Sequence, residues 1–386
     1  MTCGRANRKF DFGNMFENLQ KFIDEGLLES KKIVLFGAAD PGIALKEYLD
    51  ERGYHIYSVI DNGSKKQGMC FEGICVQKPE EVLGQFNPDF VILIASSHIA
   101  EMTSALEKMG YIKGEHILGL IDYEKILNQI KNSIQDSKKL TFKEVQLEEF
   151  HILQYIKEVC KENNLTYFLS SGTLLGAVRH KGFIPWDDDV DICMPCTDYH
   201  KFLQIVEQEG RFGVDNYKSN HFLIRYGYSR IFHKEIYRRH LGFPLIIDTR
   251  LCVDVFPLYS IPDDDAHAEK MFIKSRKLKN ILRNASLYKP SKEFISAADV
   301  LVEMWEEISY KPSKRVMRDC VESPGYYEEE IVSYEAYEKA IEKEFCGEMF
   351  SVPVGYDEIL RTLYKDYMAL PPEEKRIPQN NYFFYR

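Results

Sequence analysis

Apolar and polar positions alternate along the first hundred residues in a way that separates strands from helices. "KKIVLFGAADPGIALKEYLDERGYHIYSVIDN" reads as an apolar strand, a glycine turn, a helix with one polar face, and a second strand ending at Asp61. A helical "KPEEVLGQF", the strand "FVILIASS" from Phe90, a helix over about Ile99 to Met109 and a short "EHILGL" strand follow. Residues 1–30 read as a helical lead-in. Strands alternating with helices imply βαβ units and a parallel sheet, so residues 1–130 are expected to form a Rossmann-like α/β domain.

The polar stretch over 131–140 predicts a linker. Beyond it, Thr141 and Glu144 have the spacing of a capping box. Leu147, Phe150, Leu153, Ile156 and Cys160 then recur every three to four residues, the signature of a long amphipathic helix. A strand over Tyr167 to Ser170, a helix from Asp198 and strands near Leu223–Ile236 and Leu251–Phe256 come next, and the remainder reads as mostly helical. Residues 141–386 are therefore expected to form a second, α+β domain with a helical C-terminal region.

Composition narrows the class. The 386 residues are 45% hydrophobic and 28% charged, enough apolar material for two domains. A net charge of -10 offers no global field for nucleic acid. No apolar run approaches the roughly 18 residues that suggest a membrane span. The nine cysteines form no spaced framework and no signal-like segment precedes them, so reduced thiols in a cytoplasm are expected.

The candidate chemistry gathers in "SSGTLLGAVRHKGFIPWDDDVDI", Ser170 to Ile192. Ser171, Gly172 and Thr173 follow a strand and open a helix, a place where free backbone N–H groups face an anion. Asp187, Asp188, Asp189 and Asp191 crowd together just before an apolar strand. With a strand's period of two, Asp189 and Asp191 point to one side while Val190 and Ile192 turn inward. Two adjacent carboxylates are costly without a cation, and hard oxygen donors suit Mg²⁺ or Mn²⁺. Asp254, the lone charge in "RLCVDVFPLY", is a candidate third carboxylate, and Asp187 a possible fourth ligand. Arg179, His180 and Lys181, between turn and aspartates, are candidates for neutralising phosphate charge.

Three segments in order, "YFLSSGTLLGAVRHKGFIPWDDDVDICMP", "CVDVFPL" and "VPVGYDEILRTLYKDYMALPPEEKR", resemble the LicD family, which includes the fukutin and fukutin-related branch. The resemblance spans about residues 141–386. It implies a nucleotidyltransferase fold and metal-dependent transfer of phosphocholine or a polyol phosphate. The donor would be cytidine diphosphate-linked, and the acceptor a hydroxyl of a glycan or glycolipid, as in lipopolysaccharide or teichoic acid synthesis. Ser171 stands where members of the family often carry glycine.

In the first domain, Gly37 and Gly42 take the outer slots of a G-x-G-x-x-G pattern with Ala39 in the middle, and Asp61 sits near the ribose-binding spacing. A nucleotide-sized pocket and a docking module are both compatible with this. Cys193 and Cys196 have C-x-x-C spacing without two further ligands at matching spacing. Two other functions remain open on sequence alone: transfer of a nucleoside monophosphate on the same carboxylates, and a non-catalytic sugar-nucleotide sensor.

Overall fold

The computed structural model describes residues 14–96, 98–122, 125, 128, 132, 137–216, 218–219, 227–240, 249–284, 292–309, 313–318, 330–378 and 382–386. The expected start of a strand at Leu223 and half of the expected linker, residues 131 and 133–136, lie outside the described residues.

After helix α1 (Met15–Asp24), the first sheet is built from β1 (Lys32–Phe36), α2 (Asp40–Asp50), β2 (Ile56–Ile60), β3 (Cys70–Phe71), β4 (Ile74–Gln77), α3 (Pro79–Leu83), β5 (Phe90–Ile94), α4 (Ile99–Lys108) and β6 (Ile117–Gly119). Its order is β3-β4-β2-β1-β5-β6, parallel except for the β3–β4 hairpin. β5 is buried along its whole length, as a central parallel strand covered on both faces must be. The periodicity of the sequence predicts this sheet; the β3–β4 hairpin, too short to show a period, it does not.

The second unit opens with α5 (Phe142–Glu162), capped as expected by the Thr141 hydroxyl and the Glu144 carboxylate. Its buried face is Val145, Glu149, Ile152, Leu153, Tyr155, Ile156, Val159 and Cys160, whereas the expected Leu147 is exposed. There follow β7 (Phe168–Leu169), α6 (Ser171–Arg179), β8 (Asp191–Pro195), α7 (Cys196–Glu209), β9 (Gly213–Asp215), β10 (Ser229–His240), β11 (Thr249–Ile261), α8 (Asp265–Asn284) and α9 (Lys292–Ser309). The 13-residue β11 is the axis of the second sheet. β8 lies parallel along 254–258 of it and β10 antiparallel along 249–255, so that Asp254 and Val255 pair with both, and β12 (Arg315–Met317) lies antiparallel on its end.

Among its described residues the C-terminal region is not mostly helical. Beyond α9 these add β12, β13 (Ile331–Ser333), β14 (Ala340–Phe345), β15 (Glu348–Pro353), α10 (Tyr356–Tyr364) and β16 (Tyr382–Tyr385). The β14–β15 hairpin turns through Cys346 and Gly347, both at positive φ, which is the turn that matches the twist of paired strands.

One strand joins the two units. β16 pairs with β10, and residues 138–140 exchange backbone hydrogen bonds with 384–386. Phe383 on this strand is buried among the first unit's core, with Leu19, Leu45 and Leu120, while Phe384 packs with Leu140, Val145 and Leu251 of the second. Successive side chains of a strand face opposite ways, so one strand seals two cores. Phe383→Ala should therefore lower unfolding free energy by about 3 kcal/mol, the usual cost of emptying a buried aromatic site. Urea denaturation followed by far-UV circular dichroism checks this.

Candidate active site

The carboxylates converge on the junction of β7, α6, β8 and β11. β7 runs antiparallel to β8, and the Ser170 N–H donates to the Asp191 carbonyl at 3.0 Å. The chain then turns directly into α6 through Ser171, whose φ of +45° lies in the left-handed region that favours glycine. A glycine there would adopt this φ without strain. The Thr173 hydroxyl accepts the Asp191 N–H at 2.9 Å, fastening the start of the helix to the start of the strand.

Gly172 allows a close approach. A Cβ built there would lie 2.5 Å from Asp187 Oδ2. The Asp187 carboxylate thus stands against the opening turn of α6, in the position where the sequence pattern predicts a phosphate. From the other side, Gln146 on α5 donates from Nε2 to the Asp187 carbonyl at 2.8 Å.

The aspartates raise one another. Burial, then the Asp189 charge and the hydrogen bond between the two side chains, push the Asp187 carboxyl up to about 8. Loss of hydration raises Asp189 too, with the charges of Asp254 and Asp188, against its hydrogen bond with Asp187; solvent still reaches part of this residue. Asp191 is held well above the usual carboxylate range by burial and by Asp189, with Arg318 opposing.

Asp254 arrives from the neighbouring strand. β8 and β11 are parallel, with Asp254 in register opposite Asp191, and the Asp254 N–H donates to the Val190 carbonyl at 2.9 Å. Its Oδ1 accepts from Arg230 Nε at 2.8 Å, and Arg230 donates in turn to the Tyr228 hydroxyl. Arg318 lies 3.9 Å from Asp191 and 3.5 Å from Glu330, with its guanidinium 4.4 Å from the centre of the Phe256 ring. Among the described residues no three of the aspartates bring oxygens within 4.8 Å of one another.

A divalent ion suits this donor set: hard oxygens, gathered at a cost in mutual repulsion that a cation would relieve. A further observation supports the fit. Glu149, 2% exposed on the buried face of α5, has its Oε2 without a hydrogen-bond partner. Burial and then the charges of Asp189 and Asp188 hold it well above the ordinary range. Sequence reasoning missed Glu149, although a signal was available: it interrupts the Val145, Ile152, Ile156 stripe at a core position. Arg230 and Arg318 were missed because nothing local in the sequence marks which cation a distant strand will present.

The basic tripeptide is placed differently from the aspartates. Arg179 donates to the carbonyls of Tyr367 at 2.7 Å and Ala369 at 3.2 Å, and from Nε to His180 at 2.9 Å. It binds the third motif's backbone. Tyr364 of the same motif is partly exposed and lies close enough to Asp191 and Asp187 for their charges to raise its phenol, after burial as the larger cause. His180 meets Trp186 edge to face, and Lys181 is turned to Glu344 at 3.4 Å.

In the first unit, the Asp61 carboxylate accepts from the Ala38 and Gly63 N–H groups, each at 2.8 Å, and from Lys66 at 3.0 Å. Gly37 has φ +120°, and a Cβ at Gly42 would meet the Gly37 carbonyl at 2.6 Å. The turn closes tightly on itself and on Asp61. Cys193 and Cys196 face different clusters, Cys193 beside Phe168 and Phe256, Cys196 beside Tyr259 and Trp305, so the C-x-x-C spacing is not a pair of ligands.

Taken together, the molecule is an α/β protein in which a parallel strand pair carries aspartates against a helix N-terminus. Residues 164–294 match the family described as the LicD/FKTN/FKRP nucleotidyltransferase domain, and residues 10–120 match a C-methyltransferase C-terminal domain. The lipopolysaccharide cholinephosphotransferase LicD of Haemophilus influenzae is 30% identical over 262 residues, covering 63% of this chain and 97% of that protein. The human ribitol 5-phosphate transferase FKRP is 28% identical over 92 residues, 22% of this chain and 19% of its own. A solved structure of UDP-D-quinovosamine 4-dehydrogenase from Vibrio fischeri aligns over 26% of this chain and 86% of its own, at 20% identity and a TM-score of 0.22, too low to carry an argument. The chain belongs to the LicD family and is a LicD-like phosphotransferase.

Two predictions follow from the carboxylate geometry. A group whose pKa is raised on folding stabilises fully at low pH and loses that contribution as pH rises through its folded value. In chelator, stability of the wild type should fall between about pH 4 and pH 8 by a few kcal/mol more than that of Asp187→Asn, which cannot ionise there. Urea titrations of both proteins across this range test the sign; parallel curves would dismiss the raised carboxyl. Separately, Gly172→Ala should displace Asp187 from the helix start and weaken divalent-ion binding, read by isothermal titration calorimetry.

Proposed function

We propose that the chain transfers phosphocholine, or a related polyol phosphate, from a cytidine diphosphate-linked donor to a hydroxyl of a glycan or glycolipid precursor. The observation that carries this reading is the in-register pairing of Asp191 with Asp254 beside Asp187 and Asp189, at the opening turn of α6, in a chain of this family. On this reading the second unit has the nucleotidyltransferase fold, and residues 1–130 and 141–386 are two domains linked by 131–140 and held together by β16.

Asp189, Asp191 and Asp254, with Asp187, would hold Mg²⁺ or Mn²⁺, which supplies charge neutralisation on the donor's phosphates when bound. The free N–H groups of Ser171, Gly172 and Thr173 would receive a phosphate oxygen once the Asp187 carboxylate is drawn away. Arg230 orients Asp254 through its hydrogen bond, and Asp254 accepts the proton of the acceptor hydroxyl as that oxygen attacks the transferred phosphorus and the bond from that phosphorus to the departing CMP breaks. Arg318 adds positive charge beside Asp191. Arg179, through the carbonyls of 367 and 369, holds the third motif near the cleft so that Tyr364 lines it. In the first unit, Gly37, Gly42 and Asp61 would line a nucleotide-sized site if the Asp61 contacts open. Every described cysteine is a free thiol and no described helix is long and apolar enough to cross a membrane, which agrees with work in the cytoplasm.

Product analysis with CDP-choline, CTP and magnesium tests the reading. CMP release dependent on acceptor is the expected outcome; pyrophosphate release from CTP would replace group transfer by nucleotidyl transfer. Asp189→Asn and Asp191→Asn should each lower turnover at least a hundredfold while leaving the circular dichroism spectrum unchanged. Wild-type turnover in either variant would sink the carboxylate assignment.

A further inference from the structure

A second donor cluster lies away from the aspartates. Cys196 and His200 stand one helical turn apart on α7, and Glu306 reaches them from α9. The Cys196 Sγ is 3.7 Å from His200 Nε2, which is 3.0 Å from Glu306 Oε1, and the three ligand atoms all lie within 4.8 Å of one another. Among the described residues this is the one such grouping of three.

We propose that this cluster is a binding site for a borderline-soft divalent cation, zinc in particular, that ties α9 to the β8–α7 junction. The donor set selects the ion: a thiolate, an imidazole and a carboxylate suit zinc, whereas magnesium takes oxygen alone. Bond lengths of about 2.3 Å to sulfur and about 2.0–2.2 Å to nitrogen and oxygen, at tetrahedral angles, require ligand-to-ligand edges of about 3.6 Å for S to N and about 3.4 Å for N to O. The observed 3.7 Å and 3.0 Å need adjustments of a few tenths of an ångström.

Cys196 is the first residue of α7, where the helix dipole stabilises a thiolate. Its sulfur borders an apolar cluster with Tyr259, Met271 and Trp305, while His200 and Glu306 are partly open to solvent, leaving room for water as fourth ligand. On binding, the Cys196 S–H bond is exchanged for a metal–sulfur bond and the proton passes to solvent. The site is independent of the proposed transferase centre, whose donors are all carboxylates.

The test uses the full chain. Metal analysis of protein purified without chelator should find about one zinc per chain, and zinc added to chelator-treated protein should raise its thermal midpoint. Cobalt added to the stripped protein should give a near-ultraviolet sulfur-to-cobalt charge-transfer band. That band should vanish in Cys196→Ser, and zinc affinity should fall at least tenfold in Cys196→Ser and in the more exposed Glu306→Gln. Cobalt held only by aspartates shows no such band and persists in Cys196→Ser, and that result would overturn the proposal. Undiminished zinc affinity in both variants, or no zinc bound at all, would do the same. Asp189→Asn should leave the band intact, which separates failure here from failure of the transferase reading.

Discussion

The second unit is organised around electrostatic repulsion that its backbone enforces. The parallel register of β8 on β11 sets Asp191 beside Asp254, and the turn before β8 adds Asp187 and Asp189. No hydrophobic gain comes from this arrangement, and the surroundings answer it piece by piece. Arg230 takes Asp254, Arg318 stands near Asp191 and Glu330, and the Asp187 and Asp189 side chains hydrogen-bond to each other. A buried charge left without such answers would cost several kcal/mol. The residual strain is concentrated at one end of the strand pair, where a cation and a phosphate can relieve it together.

The scaffolding around that point is correspondingly firm. Thr173 and Ser170 hold the start of β8 by its backbone, and Gln146 holds the aspartate loop from α5. These contacts use backbone groups, so they fix position without consuming carboxylate oxygens. The third motif is drawn in by Arg179, whose Nη1 donates to two of its carbonyls. A residue that sequence suggests as a phosphate ligand also braces the fold.

What could be read from sequence follows from the range of the signal. The first sheet and the α5 cap are local patterns of three to ten residues, and they were legible. Alternation of Asp189, Val190, Asp191 and Ile192 marked the acidic strand, and Asp254 stood out as a charge in an apolar run. The short strands after α9 lacked enough length to show a period, so they read as helix. Leu147 fitted the helical stripe but faces solvent, because the stripe actually turned inward runs through Glu149. A carboxylate at a core position is the better clue, and one that a search for apolar periodicity passes over. The cation partners, set by pairings across dozens of residues, left no local trace.

The parallel pairing of β8 with β11 also has a kinetic meaning. Asp191 and Asp254 are 63 positions apart, 254 minus 191, and they meet only after the intervening α7, β9 and β10 have been threaded between them. Closing a loop of that length is entropically costly before any contact rewards it, and non-local pairings of this kind slow folding. In the unfolded chain the two acids are far apart and do not repel. The electrostatic opposition therefore arises only where β8 and β11 are paired, so its cost falls on the folded state alone.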